Sequence, residues 1–204
     1  MHPNPVYHTG DDIRNLAYAR DRGFGVLAVS VDGAPLLSHV PFIVSEDGKT
    51  LDLHLVRSNP IARALKTPLQ ARIAVSGPDS YISPDWYEMP DQVPTWNYVA
   101  VHLTGTLELR SQEKMLELLD RQSAVFEARL DPKPRWTTGK MDVDALAKMI
   151  RMIVPCRMQI TSVDGTWKLS QNKPEDVRQR TADQVESYGQ GAELRLLAAL
   201  MRGA

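Results

Sequence analysis

The chain has one cysteine, Cys156, in 204 residues, so no disulfide can form within it. That fits a reducing compartment, and the expected location is cytoplasmic. A basic surplus is also missing: 24 Lys and Arg stand against 25 Asp and Glu, a formal charge of -1. Dedicated nucleic-acid binders usually carry a strong positive excess. No apolar run nears the ~20 residues of a membrane span. The opening MHPNPVYHTGDD has no basic stretch leading into an apolar one, so it does not read as a secretory signal. G-x-S-x-G, G-x-G-x-x-G and P-loop patterns are absent. With them go the usual signs of an elbow-type serine nucleophile, a dinucleotide-binding turn and a triphosphate cradle. No repeat or low-complexity segment is present, and the length suits one domain or one domain with an appendage.

What is there reads as a hairpin-rich β domain with helices set into it. HTGDDIRNLAYARDRGFG predicts a helix, with Thr9 and Asp12 at capping-box spacing, Ile13, Leu16 and Ala17 on one face, and Gly23 at its end. GVLAVSVDGAPLLSHVPFIV reads as two strands joined through Asp32-Gly33, a strong hairpin signal. TLDLHLV alternates as a third strand, NPIARALK is a short helix, and LQARIAVSG is a fourth strand. YISPDWYEMPDQVP reads as a proline-broken excursion. WNYVAVHLTGTLELR is a fifth strand, bent near Gly105. SQEKMLELLDRQSAVFEARL predicts a helix that Ser111 can cap, with Leu116, Leu119 and Phe126 among its apolar positions. DVDALAKMIRMIV predicts another, stopped before Pro155. CRMQITSVDGTWKL returns to strand with Asp164-Gly165 as a turn, and two tail helices follow. Short links favour antiparallel pairing, hence a small barrel or an α+β sheet.

Three stretches carry candidate chemistry. In VRSNPIARAL, Asn59 is a favoured N-cap and Pro60 sits at the first helical position. The first N–H groups of that helix lack internal partners, and Arg57 and Arg63 flank them, an arrangement suited to phosphate. In SHVPFIV, Ser38 and His39 lie on a strand facing the one that carries His54. These two histidines and His102 are far apart in sequence, so hydrogen bonding is expected of them rather than a metal site. In TWKLSQNKP, Lys168, Ser170, Gln171, Asn172 and Lys173 offer donors for a phosphate, a polyhydroxyl chain or a ring carbonyl. A fourth stretch, VPTWNYVAVH, sets two large aromatics beside Thr95 and Asn97 at the mouth of a strand. A flat molecule with polar edges would suit that mixture. Cys156 reads as a small buried hydrophobe, and the Met141, Met149 and Met152 group as core filling.

SHVPF, LHLVRSNP, SGPDSYISPDWY, VPTWNYVAVHLTG and WKLSQNK, in this order and at these distances, resemble the PaiB-type FMN-binding negative transcriptional regulators. PTWNY and KLSQNK are the specific signatures, and SHVPF is shared more loosely with other flavin-binding split barrels. The resemblance covers about residues 1–190. It implies mainly β structure with inserted helices, a split β-barrel like that of pyridoxamine-phosphate oxidases, with FMN as cofactor. The implied domain is 1–172 with a helical insertion at about 111–153, and 173–204 form a helical tail.

The resemblance also implies a homodimer with flavin at the subunit interface, and repression of genes such as those for sporulation and secreted proteases. Its phosphate would sit at Arg57, Ser58 and Asn59. Ser38, His39 and Val40 would run along the flavin edge with His54 nearby. Thr95, Trp96 and Asn97 would meet the ring, and Lys168, Ser170, Gln171 and Asn172 would reach in from the partner subunit. Composition lends no support to direct DNA binding, and no helix-turn-helix is evident. The competing reading is a flavin-dependent oxidoreductase acting on a small molecule, with Trp86, Tyr87 and Trp96 bordering the substrate and His39 passing a proton. A haem carrier on the same barrel is a third reading, permitted only by the histidine supply.

Overall fold

Alternating side chains decide the strands, because successive residues point to opposite faces and only one face can meet a core. The computed structural model describes residues 1–31 and 33–204, so Asp32 of the expected hairpin turn lies outside the described residues. Strands β1 (Phe24–Ser30) and β2 (Pro35–Val44) pair antiparallel from Phe24↔Pro41 to Ser30↔Pro35. β3 (Thr50–Val56) pairs with β2 through Phe42↔Leu53. β4 (Leu69–Ile82) returns beside β1, with Val26 opposite Ala74. β5 (Thr95–Leu109) and β6 (Ile153–Lys168) complete the set, and Leu53 faces Cys156 across β3 and β6. The strands are hydrogen-bonded in the order β1-β2-β3-β6-β5-β4 and close into a barrel. The fold is therefore the mainly antiparallel barrel with inserted helices that the sequence predicts.

The chain forms two compact units. The first is Met1–Tyr18, Val75–His102 and Val163–Ala204; the second is Ala19–Ala74 and Leu103–Ser162. In the second unit Leu27, Leu51, Leu53, Ile73, Leu103 and Met158 are fully buried. Burial of each such side chain contributes about 1.5–3 kcal/mol. Helix α2 (Pro60–Ala64) follows β3. Helix α3 (Met115–Glu127) lays Met115 and Leu118 against Ile43, with Ile150 of α4 (Val143–Ile150) beside them. In the first unit α5 (Glu175–Tyr188) and α6 (Leu194–Arg202) pack around Ile82, Val99, Trp167 and Leu169.

Several local expectations are corrected. Helix α1 (Asp12–Arg22) is capped by Asp11, whose Oδ1 accepts from Arg14 N at 2.7 Å, and not through Thr9. Its buried positions are Asn15 and Ala19, while Ile13 is 77% exposed. Asn15 is buried because its Oδ1 accepts from Trp167 Nε1 at 2.8 Å and its Nδ2 donates to Gly10 O at 3.1 Å. Ser111 makes no side-chain cap bond, and Leu116 is exposed where Leu118 is buried. Asp164 and Gly165 form no turn, because β6 runs straight through them. Gly165 serves close approach instead: a Cβ there would lie 2.1 Å from Asn15 Oδ1. β4 continues into the supposed excursion as far as Ile82, since Asp79 N donates to Ala192 O and Tyr81 N to Gln190 O.

Candidate functional site

The candidate residues fall into two groups, one in each unit. In the second unit the end of β3 leads into the segment Arg57-Ser58-Asn59 and then into α2. Asn59 is the N-cap of α2: its Oδ1 accepts from Ile61 N at 2.9 Å, and Pro60 occupies the first turn. The same amide reaches across to β2, where Nδ2 donates to Ser38 Oγ at 3.1 Å. One side chain thus joins two stretches that lie 21 residues apart. Ser58 is exposed beside it. Arg57 is exposed too, but its guanidinium is engaged. Nε donates to Arg151 O at 3.1 Å, and Nη2 donates to Gln112 Oε1 at 2.9 Å and Ile153 O at 3.4 Å. Arg63 is exposed and makes no side-chain hydrogen bond or ion pair among the described residues.

Alternation along β2 sorts the next three. Ser38 and Val40 point to the barrel side, Val40 fully buried, while His39 is exposed and stacks on Phe24 at a ring separation of 6.4 Å. His54 is half-buried on β3, and its Nδ1 has no hydrogen-bond partner. Burial holds its imidazole below the usual histidine value, and the neighbouring Gln122 amide opposes this in part. His54 is therefore a neutral, partly enclosed ring.

In the first unit β5 does the sorting. Thr95 and Asn97 fall on one face, and Trp96 lies on the other, 48% exposed and edge-on to Tyr81 at 6.3 Å. Asn97 takes the first inward-facing position of a strand whose later inward residues are Val99, Val101 and Leu103. Its Nδ2 donates to Ser170 Oγ at 2.8 Å, and its Oδ1 is buried with no partner. Ser170 is buried with φ at 61°, a left-handed backbone that a serine rarely adopts. Tyr87 completes this cluster, with its hydroxyl 3.4 Å from Ser170 Oγ. Burial raises the phenol's pKa, and the Ser170 contact lowers it by less. Lys168 Nζ donates to Thr95 Oγ1 at 2.5 Å and lies over the Tyr7 ring. Burial depresses the Lys168 ammonium below the usual lysine value. Gln171 is turned inward to the backbone, accepting from Leu169 N at 2.8 Å and donating to Trp167 O at 2.6 Å, which fixes the turn that presents Ser170.

Thr95, Asn97, Lys168, Ser170 and Asn172 line one cleft of about 180 Å³. Tyr7, Tyr87 and Lys173 line it as well. Tyr7 carried no signal in the sequence, since it comes from the far end of the chain. Lys173, one of the donors expected of TWKLSQNKP, and Tyr87, expected to border a substrate, both stand in the wall of the cleft. Thr95 and Lys168 touch within one chain, so a subunit that presents Lys168 also presents Thr95. Among the described residues no three His, Cys, Asp or Glu side chains are grouped to hold a metal ion, and no helix is long and apolar enough to cross a membrane.

Comparison with known proteins follows the same lines. The Bacillus subtilis protein "Protease synthase and sporulation protein PAI 2" is 26% identical over 172 residues, 83% of this chain and 82% of its own. Among solved structures, the FAD and heme binding protein from Mycobacterium smegmatis superposes with a TM-score of 0.59 at 16% identity, over 89% of this chain and 80% of that one. The flavocytochrome Anf3 from Azotobacter vinelandii gives 0.52 at 16% identity, over 81% and 74%. Both likenesses are of fold. Residues 1–162 match the family model described as "Putative FMN-binding domain", and the chain belongs to that FMN-binding family, of the PaiB type.

Proposed function

We propose that this chain binds FMN as a homodimer and acts as a negative regulator of transcription, with the flavin as ligand or redox sensor. The observation that carries it is the pair of donor-rich clusters, one around Asn59 and one around Asn97, in a chain similar over most of its length to the sporulation protein of Bacillus. The residues fit the cofactor in kind. Ser58, Asn59 and the nearby Arg57 and Arg63 offer hydroxyl, amide and guanidinium donors for a phosphate. Ser38, His39 and Val40 run along β2 beside that segment, and the unpartnered Nδ1 of His54 is a polar atom that a ligand would satisfy. Thr95, Asn97, Lys168, Ser170 and Asn172 form a polar wall, and Trp96, on the opposite face of β5, is 48% exposed. FMN supplies the redox chemistry when bound; the chain binds, orients and shields it.

The homodimer is supported by exposed apolar side chains in both units: Phe24 and Leu37 at 52% and 61%, and Val93 and Trp96 at 71% and 48%. A second copy would cover such surface. In that dimer the residues from Lys168 to Asn172 serve the partner's flavin and bring Thr95 and Asn97 with them. Regulation then needs no DNA-reading element in this chain, because a flavin-dependent change of partner suffices. A second reading, a flavin-dependent oxidoreductase, is favoured by one observation: the Asn97 cleft is sized for a small molecule.

The deciding test is purification followed by absorbance and identification of whatever denaturation releases. FMN is expected, at one per chain. A folded, colourless protein that takes up no added FMN would end both readings. Promoter fragments shifted at physiological salt in the presence of competitor DNA support the regulator. Bleaching by NADH or NADPH with reoxidation by a defined acceptor supports the enzyme.

A further inference from the structure

Lys168 and Lys173 both line the cleft beside Asn97, and neither is paired with a carboxylate among the described residues. Lys168 gives one hydrogen to Thr95 Oγ1, and Lys173 gives one to Gln92 Oε1. Those acceptors are neutral, so both ammonium charges stay uncompensated. The one carboxylate that lines the cleft is the exposed Asp91, leaving two positive groups against one negative. The walls are aromatic. Lys173 stands 4.8 Å from the centre of the Tyr87 ring and Lys168 stands 5.6 Å from that of Tyr7. Asn97 is 1% exposed, and its Oδ1 has no donor. A buried acceptor left unpaired destabilises by about 1–3 kcal/mol unless something supplies it. A volume of about 180 Å³ is below the 300–1,000 Å³ typical of drug-sized ligands, so within one chain the cleft has room for a small molecule, held beside the flavin that its wall would serve.

We propose that this cleft seats the carboxylate of a small hydroxy- or amino acid, with the oxyanion held by Lys168 and Lys173 and the acid's O–H or N–H given to Asn97 Oδ1. This deepens the flavin reading and rests on it, for the acid is then the molecule that the flavin site senses or turns over. Burial holds the Lys168 ammonium below the usual lysine value, and a carboxylate bound beside it would oppose that shift. Tyr7 and Tyr87 stand at the sides of the cleft. Ser170, held in its left-handed turn, fixes Asn97 so that Oδ1 and not Nδ2 is left for the ligand.

The probes are lactate, and propionate as the same acid without the hydroxyl, titrated calorimetrically into the full chain as purified. Lactate is expected to bind roughly threefold to tenfold more tightly than propionate, the worth of one neutral hydrogen bond. Lys168→Met and Lys173→Met should each weaken lactate by at least about tenfold, as loss of a charged hydrogen bond does. Lys168→Arg should recover part of that loss, and Lys66→Met, on an exposed residue of the second unit, should change nothing. Thermal midpoints of each variant separate misfolding from lost binding, and Lys173→Met serves if Lys168→Met is unstable. Lactate affinity in both methionine variants equal to that of the unaltered chain overturns the proposal. So does loss of FMN with retention of riboflavin in those variants, which would make the cleft the seat of the cofactor's phosphate. If the unaltered chain takes up no FMN yet binds lactate through these lysines, the flavin reading fails and the acid seat stands.

Discussion

Asn59 is the residue whose substitution separates stability from cofactor retention. Its Oδ1 caps α2 on Ile61 N and its Nδ2 ties the segment to Ser38. Asn59→Ala removes both bonds. Loss of a cap destabilises by about 1 kcal/mol and loss of a neutral side-chain hydrogen bond by about 1 kcal/mol more. For a chain of this length about 2 kcal/mol lowers the thermal midpoint by roughly 4–8 °C. Asn59→Asp behaves differently. Aspartate caps as well as asparagine, and the Ser38 hydroxyl can donate to the new carboxylate, so the midpoint should stay within about 2 °C. FMN retention should nevertheless fall. A carboxylate roughly 6 Å from a phosphate opposes it by about 3 kcal/mol at an effective dielectric of about 20, and solvent screening at this exposed segment reduces that to about tenfold in affinity. Riboflavin lacks the phosphate and should bind both proteins alike. The assay is a melting curve beside a flavin titration for each variant. If Asn59→Asp keeps FMN as firmly as the unaltered chain, this segment does not hold the phosphate.

Three further outcomes follow from single contacts. Arg57→Ala should weaken FMN retention and also loosen the junction at 150–153; Gln112→Ala, which removes an internal partner of that guanidinium together with the Nε2 bonds to Ile150 O and Ile153 O, should show the second effect in hydrogen exchange without the first. Loss of FMN affinity that is equal in both variants would remove Arg57 from the phosphate role. Asp52 is 6% exposed and held by Arg157 at 2.6 and 2.8 Å and by Arg121 at 3.0 Å. Asp52→Asn should destabilise by roughly 2–3 kcal/mol, less than a fully buried pair because both arginines keep water contact. Burial pushes that carboxyl up, but the two guanidiniums together pull it below the usual aspartate value. Its contribution is thus full above the ordinary aspartate pKa of about 3.9 and is lost as pH falls through the lower folded value; a denaturant midpoint equally acid-sensitive in the variant refutes this. Cys156 is 1% exposed and burial pushes its thiol up to about 12, so iodoacetamide at pH 8 should leave the native chain unlabelled by mass while the unfolded chain reacts.

The strands were legible because their pattern is local. TLDLHLV is β3 from Thr50 to Val56, and the fifth strand begins one residue before the expected Trp96. The cap at Asn59 was legible for the same reason, since Asn-Pro at a helix start needs only neighbours to explain it. Asn15 was not. By pattern it belongs on the wet side of α1, and it is buried only because Trp167, 152 residues later, needs an acceptor. The extension of β4 to Ile82 depends likewise on the segment at 190–192, which no strand signal marks. At Gly105, where a bend is expected, β5 runs unbroken, and the glycine serves close approach: a Cβ there would stand 1.9 Å from Gln159 O.

The same distinction runs through the site. Alternation alone puts Thr95 and Asn97 together and Trp96 opposite, so the motif TWNY serves two surfaces and not one. What alternation cannot supply is the partner across the fold. Asn97 becomes a half-satisfied buried amide only when Ser170, 73 residues on, takes its Nδ2. That in turn requires the left-handed turn at Ser170, which Gln171 secures by spending its own amide on the backbone of Leu169 and Trp167. The motif KLSQNK is therefore two kinds of residue interleaved. Lys168 and Ser170 meet the cleft, and Gln171 holds the turn that lets them do so. The polar run KLSQNK is, in three dimensions, one side of a cleft and the brace behind it.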